Sequence, residues 1–318
     1  MSLGREAHHK GSAPSAARDR CGIMEAMRKR ADSGKSSWVE QTGAVTSRDG
    51  TTIGYRTVGE GPAIVLLHGA GQTSTNLRSL ACGLADRFAV HVPDRRGRGM
   101  SGPCGTDHGL QKEIDDLGAV LEVTGAQFVF GLSAGAVIAV EAALVLPGIT
   151  RLALYEPPLS YDGVSHSTWA PRYERELQAG NLGGALVSVL KGTANRYSLV
   201  RFAPRALLVA PLNFLIKHTA GRPVPEGTVS PRELVSTAHY DVLTVEGAMG
   251  PLERFSALRC QVLLLGGTRS ARNLTASLDE LNRVLPGAKR ATFSGGHTVA
   301  DNSGHPARVA AELRRFFS

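Results

Sequence analysis

The sequence predicts an α/β fold, a mostly parallel sheet flanked by helices with an inserted helical cap. Three observations predict it. Short apolar runs of strand length alternate with helix-like runs of about 10–15 residues, the rhythm of a parallel sheet wrapped on both faces. The alternation stops near Leu159 and resumes near Gly250. The stretch GLSAG, Gly131 to Gly135, stands between a strand-like run and a helix-like run.

Taken in order, residues 1–38 are low in large apolar groups until Trp38 and read as a flexible basic extension, with a short helix over 23–31. From Val39 two alternating runs flank Asp49-Gly50, the signature of a hairpin with a tight turn. PAIVLLHG (62–69) is continuously apolar, as a strand buried on both faces should be. Residues 75–88 carry Leu77, Leu80, Leu84 and Phe88 at three- and four-residue spacing and predict a helix. A strand over 89–93, an Arg/Gly loop, a helix over 110–125 and a strand ending in Gly131 follow. The run 149–158 is a strand closed by Pro157-Pro158. Between 159 and 249 only helical patches are legible, around 172–179, 184–190 and 205–217, with Pro and Gly punctuating 219–231. Strand, helix, strand and helix then follow at 260–267, 273–284, 288–293 and 306–317. The core is therefore expected over 39–158 and 250–318, and the cap over 159–249.

Composition narrows the class. Hydrophobic residues make up 42% of the 318 and charged residues 20%, enough for a packed core. No apolar run approaches the roughly 18 residues of a membrane span, and the polar, basic start does not resemble a secretory signal. A cytoplasmic protein is expected. The four cysteines, Cys21, Cys82, Cys104 and Cys260, show neither C-x-x-C pairing nor zinc spacing and read as free thiols. The net charge of +8 is concentrated in part in residues 1–38, but its basic residues are scattered among Gly, Ser and Ala. A small-molecule substrate is the expected partner, without nucleic acid or membrane; a homo-oligomer is compatible with the sequence.

GLSAG is where chemistry enters. A serine on a very tight strand-to-helix turn needs a strained backbone, and residues two before and two after it are crowded; Gly131 and Gly135 relieve that crowding. The turn would project the Ser133 hydroxyl and set the Ala134 amide beside it at a helix N-terminus, where developing negative charge is stabilised. A nucleophilic serine needs a base. His297 fits: it follows the last strand, sits in a loop, and is preceded by Gly295-Gly296, which lets the loop approach the sheet edge. His218 and His239 fall in the cap, His305 looks like a helix-entry residue, and His68 belongs to a strand-end turn.

These pieces together resemble the α/β-hydrolase superfamily in its serine-nucleophile branch, esterase- and haloperoxidase-like. LLHGAG (66–71), PDRRGRGMSG (93–102), GLSAG, LYEPP (154–158), LLLGG and GGHTVADNSGHP fall in the family's order and cover the chain from about residue 40 onward. The resemblance implies a Ser133–acid–His297 triad, an oxyanion hole of the Ala70 and Ala134 amides, and no cofactor or metal. It also implies where the acid should stand, and there the chain departs. The loop after the seventh strand reads Gly267-Thr268-Arg269-Ser270, with no carboxylate. A variant within the superfamily places the acid after the sixth strand, which here is Glu156. Asp301, expected to face outward, is a second candidate; a carbonyl or water orienting the ring is a third, and Glu156 could instead pair with an arginine. Asp94, in the PDRRGRG stretch, reads as loop-shaping. The serine argues against the haloalkane dehalogenase and epoxide hydrolase subfamilies, whose nucleophile is a carboxylate.

The parts specify acyl transfer, on a small-to-medium and largely apolar ester, lactone or thioester. Two alternatives stand beside hydrolysis: a non-hydrolytic enzyme on the same scaffold, such as a perhydrolase-like haloperoxidase, lyase or natural-product cyclase, and a ligand-binding protein with vestigial chemistry.

Overall fold

The computed structural model describes residues 40–161, 165–193, 199–219 and 230–318. The basic extension and its short helix lie outside the described residues.

The hairpin forms as the alternating runs require: β1 (Gln41–Thr46) pairs antiparallel with β2 (Thr52–Val58) across a turn in which Gly50 takes φ 86°. The apolar runs become β3 (Ala63–Leu67), β4 (Ala89–Pro93), β5 (Phe128–Leu132), β6 (Arg151–Tyr155) and β7 (Gln261–Gly267), with β8 (Lys289–Phe293) at the edge. They form one eight-stranded sheet in the order β1-β2-β4-β3-β5-β6-β7-β8. From β4 to β8 every pairing is parallel, and β2 joins β4 antiparallel.

Apolar stripes on both sheet faces explain the continuous Val/Ile/Leu runs. On one face α1 (Arg78–Cys82) and α10 (Pro306–Phe317) bury Leu80, Leu313 and Phe317 against Leu66, Phe130 and Leu265. On the other, α2 (Leu110–Thr124), α3 (Ala134–Val145) and α9 (Arg272–Val284) bury Leu117, Val137 and Leu281 against Val65, Val129 and Leu264. The sheet order reverses at β3, which leads to β4 on one side and stands beside β5 on the other. In open α/β sheets the crevice beyond the strand ends at such a switch point is the preferred ligand site.

Between β6 and β7 stand α4 (Ala170–Gln178), α5 (Leu182–Thr193), α6 (Leu199–Phe202), α7 (Arg205–Thr219) and α8 (Pro231–Gly247). All but α6 share a small core of Tyr173, Leu186, Ile216 and Val235. Two expectations need correcting. Residues 75–88 do not form one helix: a 3-10 turn, Ser74–Leu77, leads into the five-residue α1, which ends before Gly83. The periodic Leu77, Leu80, Leu84 and Phe88 are all buried nonetheless, so the spacing records a buried face rather than a continuous helix. The second is α8, which the sequence reading missed. Its start was legible, because Ser230-Pro231 with Glu233 forms a capping box in which Ser230 Oγ accepts from the Glu233 amide at 3.1 Å.

His166, at the entry to the inserted helices, is a packed link between layers. Its Nδ1 accepts from Asn273 Nδ2 and its Nε2 donates to Ser277 Oγ, both at 3.0 Å. Burial pushes its pKa down to about 4. An unfolded imidazole titrates near 6.5, so between about pH 6.5 and 4 the unfolded chain binds more protons and stability falls as pH falls. Urea unfolding over this window should show a shallower loss of stability in His166→Asn than in wild type; equal slopes would contradict the assignment.

Candidate active site

The turn at Ser133 has the geometry the glycines require. Ser133 takes φ 55° and ψ −119°, a conformation L-residues rarely adopt. A Cβ on Gly131 would lie 2.5 Å from Ala136 Cα, and one on Gly135 would lie 2.5 Å from Leu67 O and 2.6 Å from His68 O. Backbone hydrogen bonds lock the turn: Ser133 N donates to Tyr155 O at 2.9 Å, and Ser133 O accepts from Ala136 N at 2.9 Å and Val137 N at 3.1 Å. The Ser133 hydroxyl has no hydrogen-bond partner among the described residues, and the residue is partly exposed.

Glu156 is the other non-glycine residue with positive φ among those described, at 47°. It leaves β6 one position beyond the sheet ladder, its N–H donating to Leu265 O at 3.1 Å. The side chain is fully buried and turned back across the strand ends. Its Oε1 accepts from Gly267 N at 2.6 Å and its Oε2 from His297 Nδ1 at 2.7 Å. The loop after β7, which lacks a carboxylate, thus supplies a backbone donor that orients one. With Nδ1–H committed to Glu156, the lone pair of His297 is at Nε2. The loop bearing His297 is held on both sides: Arg269 N donates to Gly295 O at 2.7 Å and Tyr155 Oη to Gly296 O at 3.0 Å. Gly295 adopts φ 145°.

Ser133 Oγ and His297 are not hydrogen-bonded to each other in this structure. Tyr155 connects them: its carbonyl accepts from Ser133 N, and its ring lies 6.4 Å from the His297 ring, centroid to centroid.

The loop after β3 abuts the serine, for a Cβ on Gly69 would lie 3.2 Å from Ser133 Cβ. Gly69 N donates to Gln72 Oε1 at 2.9 Å and Gly71 N to Asp241 Oδ2 at 3.1 Å. Ala70, between them, has an amide with no acceptor among the described residues, and so has Ala134 at the first turn of α3. His68 is buried beneath this loop, its Nδ1 donating to Gly69 O at 2.9 Å and its Nε2 accepting from Arg95 N at 3.1 Å. Burial, and then the Arg95 and Arg98 charges, hold it well below the usual imidazole range and therefore neutral.

Asp301 does not face outward as expected; it is 5% exposed. Its Oδ2 accepts from Gln72 Nε2 at 2.8 Å and its Oδ1 from Ser303 N at 2.8 Å. It does not bond His297 but, through Gln72, ties the His297 loop to the Gly69–Gly71 loop. Asp94 shapes loops, accepting from Ser74 N at 2.6 Å and Met100 N at 2.9 Å. Gln72, Tyr155 and Asp241 escaped the sequence reading, because each acts through contacts distant in the chain.

A serine on a left-handed turn at the carboxyl edge of a parallel sheet, with a histidine–carboxylate pair on neighbouring loops, is the architecture of α/β hydrolases. The model of the alpha/beta hydrolase family matches residues 64–312, and the chain belongs to that family. A pimeloyl-(acyl-carrier protein) methyl ester esterase of Xanthomonas oryzae pv. oryzae is 27% identical over 261 residues, 81% of this chain and 96% of that protein. Among solved structures, an alpha/beta hydrolase from Sphaerobacter thermophilus DSM 20745 is 29% identical, with a TM-score of 0.67 over 87% of this chain and 100% of that one. The enol-lactonase from Burkholderia xenovorans LB400, 18% identical with a TM-score of 0.63 over 86% and 99% of the two chains, shares the fold.

The crowding at Gly135 is testable without an assay. Gly135→Ala forces a Cβ onto two carbonyl oxygens and should lower unfolding free energy by about 1–3 kcal/mol in urea titration. An unchanged midpoint would mean that the turn relaxes freely.

Proposed function

We propose that the protein is a serine hydrolase of carboxylic esters, lactones or thioesters, working through an acyl-enzyme on Ser133. The observation that carries the reading is the 2.7 Å bond from His297 Nδ1 to the buried Glu156 carboxylate. It fixes the tautomer that a general base needs and stabilises the imidazolium that forms. In the proposed reaction Ser133 Oγ attacks the acyl carbon while His297 Nε2 takes the hydroxyl proton. The Ala70 and Ala134 amides, unengaged among the described residues, receive the developing oxyanion. The tetrahedral intermediate collapses, His297 returns the proton to the departing alcohol or thiol, and the acyl group stays on Ser133. Water, deprotonated by His297, then attacks the acyl carbon; as the second tetrahedral intermediate collapses, His297 returns the proton to Ser133 Oγ and the acid departs.

The inserted helices are proposed to act as the cap. Two contacts support this: Asp241 of α8 accepts from Gly71 N, and Leu234 lies where a Cβ on Gly71 would fall, 2.4 Å from its Cδ1. The cap thus meets the loop offered as half of the oxyanion hole. The methyl ester esterase among the relatives supports an ester substrate. The ligand-binding alternative draws on the missing carboxylate after β7, and the Glu156–His297 pair favours the hydrolase reading over it.

A fluorophosphonate probe tests the reading. Wild type should label stoichiometrically and Ser133→Ala should not label. Glu156→Gln keeps the shape but disturbs the tautomer, and should lower kcat on a p-nitrophenyl acyl ester by about three to four orders of magnitude. Failure of wild type to label while it still folds and binds the ester would refute acyl-enzyme chemistry.

A further inference from the structure

Helix α7 is apolar nearly all the way round, yet only Ile216 of its residues is fully buried. A helix of that composition is ordinarily enclosed. Its packed side is identified by α5: Gly183 N donates to Asn213 Oδ1 at 2.7 Å, and a Cβ on Gly183 would lie 2.7 Å from Val209 O. Arg205, on the same side, is bound by Glu176 at 2.7 Å. At 100° per residue, Leu207, Phe214 and His218 fall on the opposite side. There Leu207 is 69% exposed and Phe214 64%. The preceding short helix adds Leu199 at 85% and Phe202 at 71%. Elsewhere in the described chain, large exposed apolar side chains stand singly, such as Val123 and Val145. Here four fall within about sixteen residues of chain, on α6 and the outward side of α7, a concentration that marks an interaction site rather than ordinary surface variation.

The charge around this surface selects the partner. From residue 177 to residue 225 the sequence contains no Asp or Glu, and the described basic residues of this stretch, besides the Glu176-bound Arg205 of the packed side, are Lys191, Arg201 and Lys217. Among these, Arg201 lies between Leu199 and Phe202, and Lys217 follows the exposed Phe214 by one turn. Leucine and phenylalanine facing outward within an acid-free, basic segment match an interface of acyl chains beneath anionic headgroups. No described helix is long and apolar enough to cross a membrane, so the contact would be with the surface.

We propose that the outer face of α6 and α7 docks on anionic lipid bilayers, with Leu199, Phe202, Leu207 and Phe214 entering the interface and the surrounding Lys and Arg side chains meeting the headgroups. This does not rest on the catalytic reading, and the Ser133→Ala protein should bind as wild type does.

The experiment is flotation of the full-length protein with vesicles of phosphatidylglycerol and phosphatidylcholine, against vesicles of phosphatidylcholine alone. Wild type should float with the anionic vesicles, less so as salt is raised. Leu207→Ser/Phe214→Ser should bind them about tenfold more weakly or less, while Val123→Ser/Val145→Ser, changed on α2 and α3, should bind as wild type. Near-UV circular dichroism checks that the variants are folded. In a second measurement Phe214→Trp, which keeps a large apolar side chain, should give a blue-shifted emission on anionic vesicles. Three results would overturn the proposal. One is no flotation and no blue shift. Another is flotation unaffected by the double substitution, which would assign binding elsewhere, such as the basic residues 1–38. The third is a wild-type dimer that the double substitution dissociates, which would make the face a contact between copies.

Discussion

Everything at the candidate site depends on how two adjacent parallel strands end. In the β5–β6 register Leu132 stands opposite Tyr155, so Ser133 and Glu156 are the first residues beyond the paired strands. Each adds one more backbone bond, Ser133 N to Tyr155 O and Glu156 N to Leu265 O, and each then leaves with positive φ. Such conformations cost about 1–3 kcal/mol apiece and persist only where surroundings over-determine them. Here the surroundings are the sheet, α3 and Pro157. The strain turns the serine outward and the carboxylate inward, so that two strand ends present a hydroxyl and an acceptor for the histidine of a third loop.

A buried ionic cluster holds the neighbouring loops in place. Arg95 is bidentate to Glu113, at 2.6 and 3.1 Å, and donates to Asp241 at 2.9 Å; Arg98 meets the same Asp241 at 2.7 Å. Burial opposes the Asp241 charge, but Arg98 and Arg95 outweigh it and hold its carboxyl below the usual range. Buried ion pairs are weak contributors to net stability, since desolvation offsets attraction, but breaking one leaves an unpaired charge and is costly. The value of this cluster is positional. Asp241 comes from an inserted helix, the arginines from the loop after β4, and Gly71 N from the loop after β3. One carboxylate therefore fixes the relation between the inserted helices and the amides beside Ser133.

The sequence made the sheet legible because buried parallel strands leave continuous apolar runs, and it made Ser133 and His297 legible because glycines flank both. Glu156 could be reached only through the family resemblance: no local pattern says that a carboxylate before two prolines turns back over the sheet edge, since that depends on the Gly267 amide 111 residues away. Asp301 was misjudged for the same reason, its partner Gln72 being 229 residues distant. The five-residue α1 replaced a longer expected helix because a buried leucine spacing survives a change from 3-10 helix to α-helix to irregular turn. The 17-residue α8 was overlooked amid Pro and Gly, although its capping box was readable.

The central claim is that Glu156, displaced from the β7 loop to the end of β6, holds the His297 Nδ1 proton. One-dimensional proton NMR in water addresses it directly, because an imidazole proton shared with a buried carboxylate resonates far downfield of the amide envelope. The account predicts such a resonance in wild type, its loss in His297→Ala and in Glu156→Gln, and its survival in Asp301→Asn. A resonance that survives Glu156→Gln, or that vanishes in a folded Asp301→Asn, would contradict it.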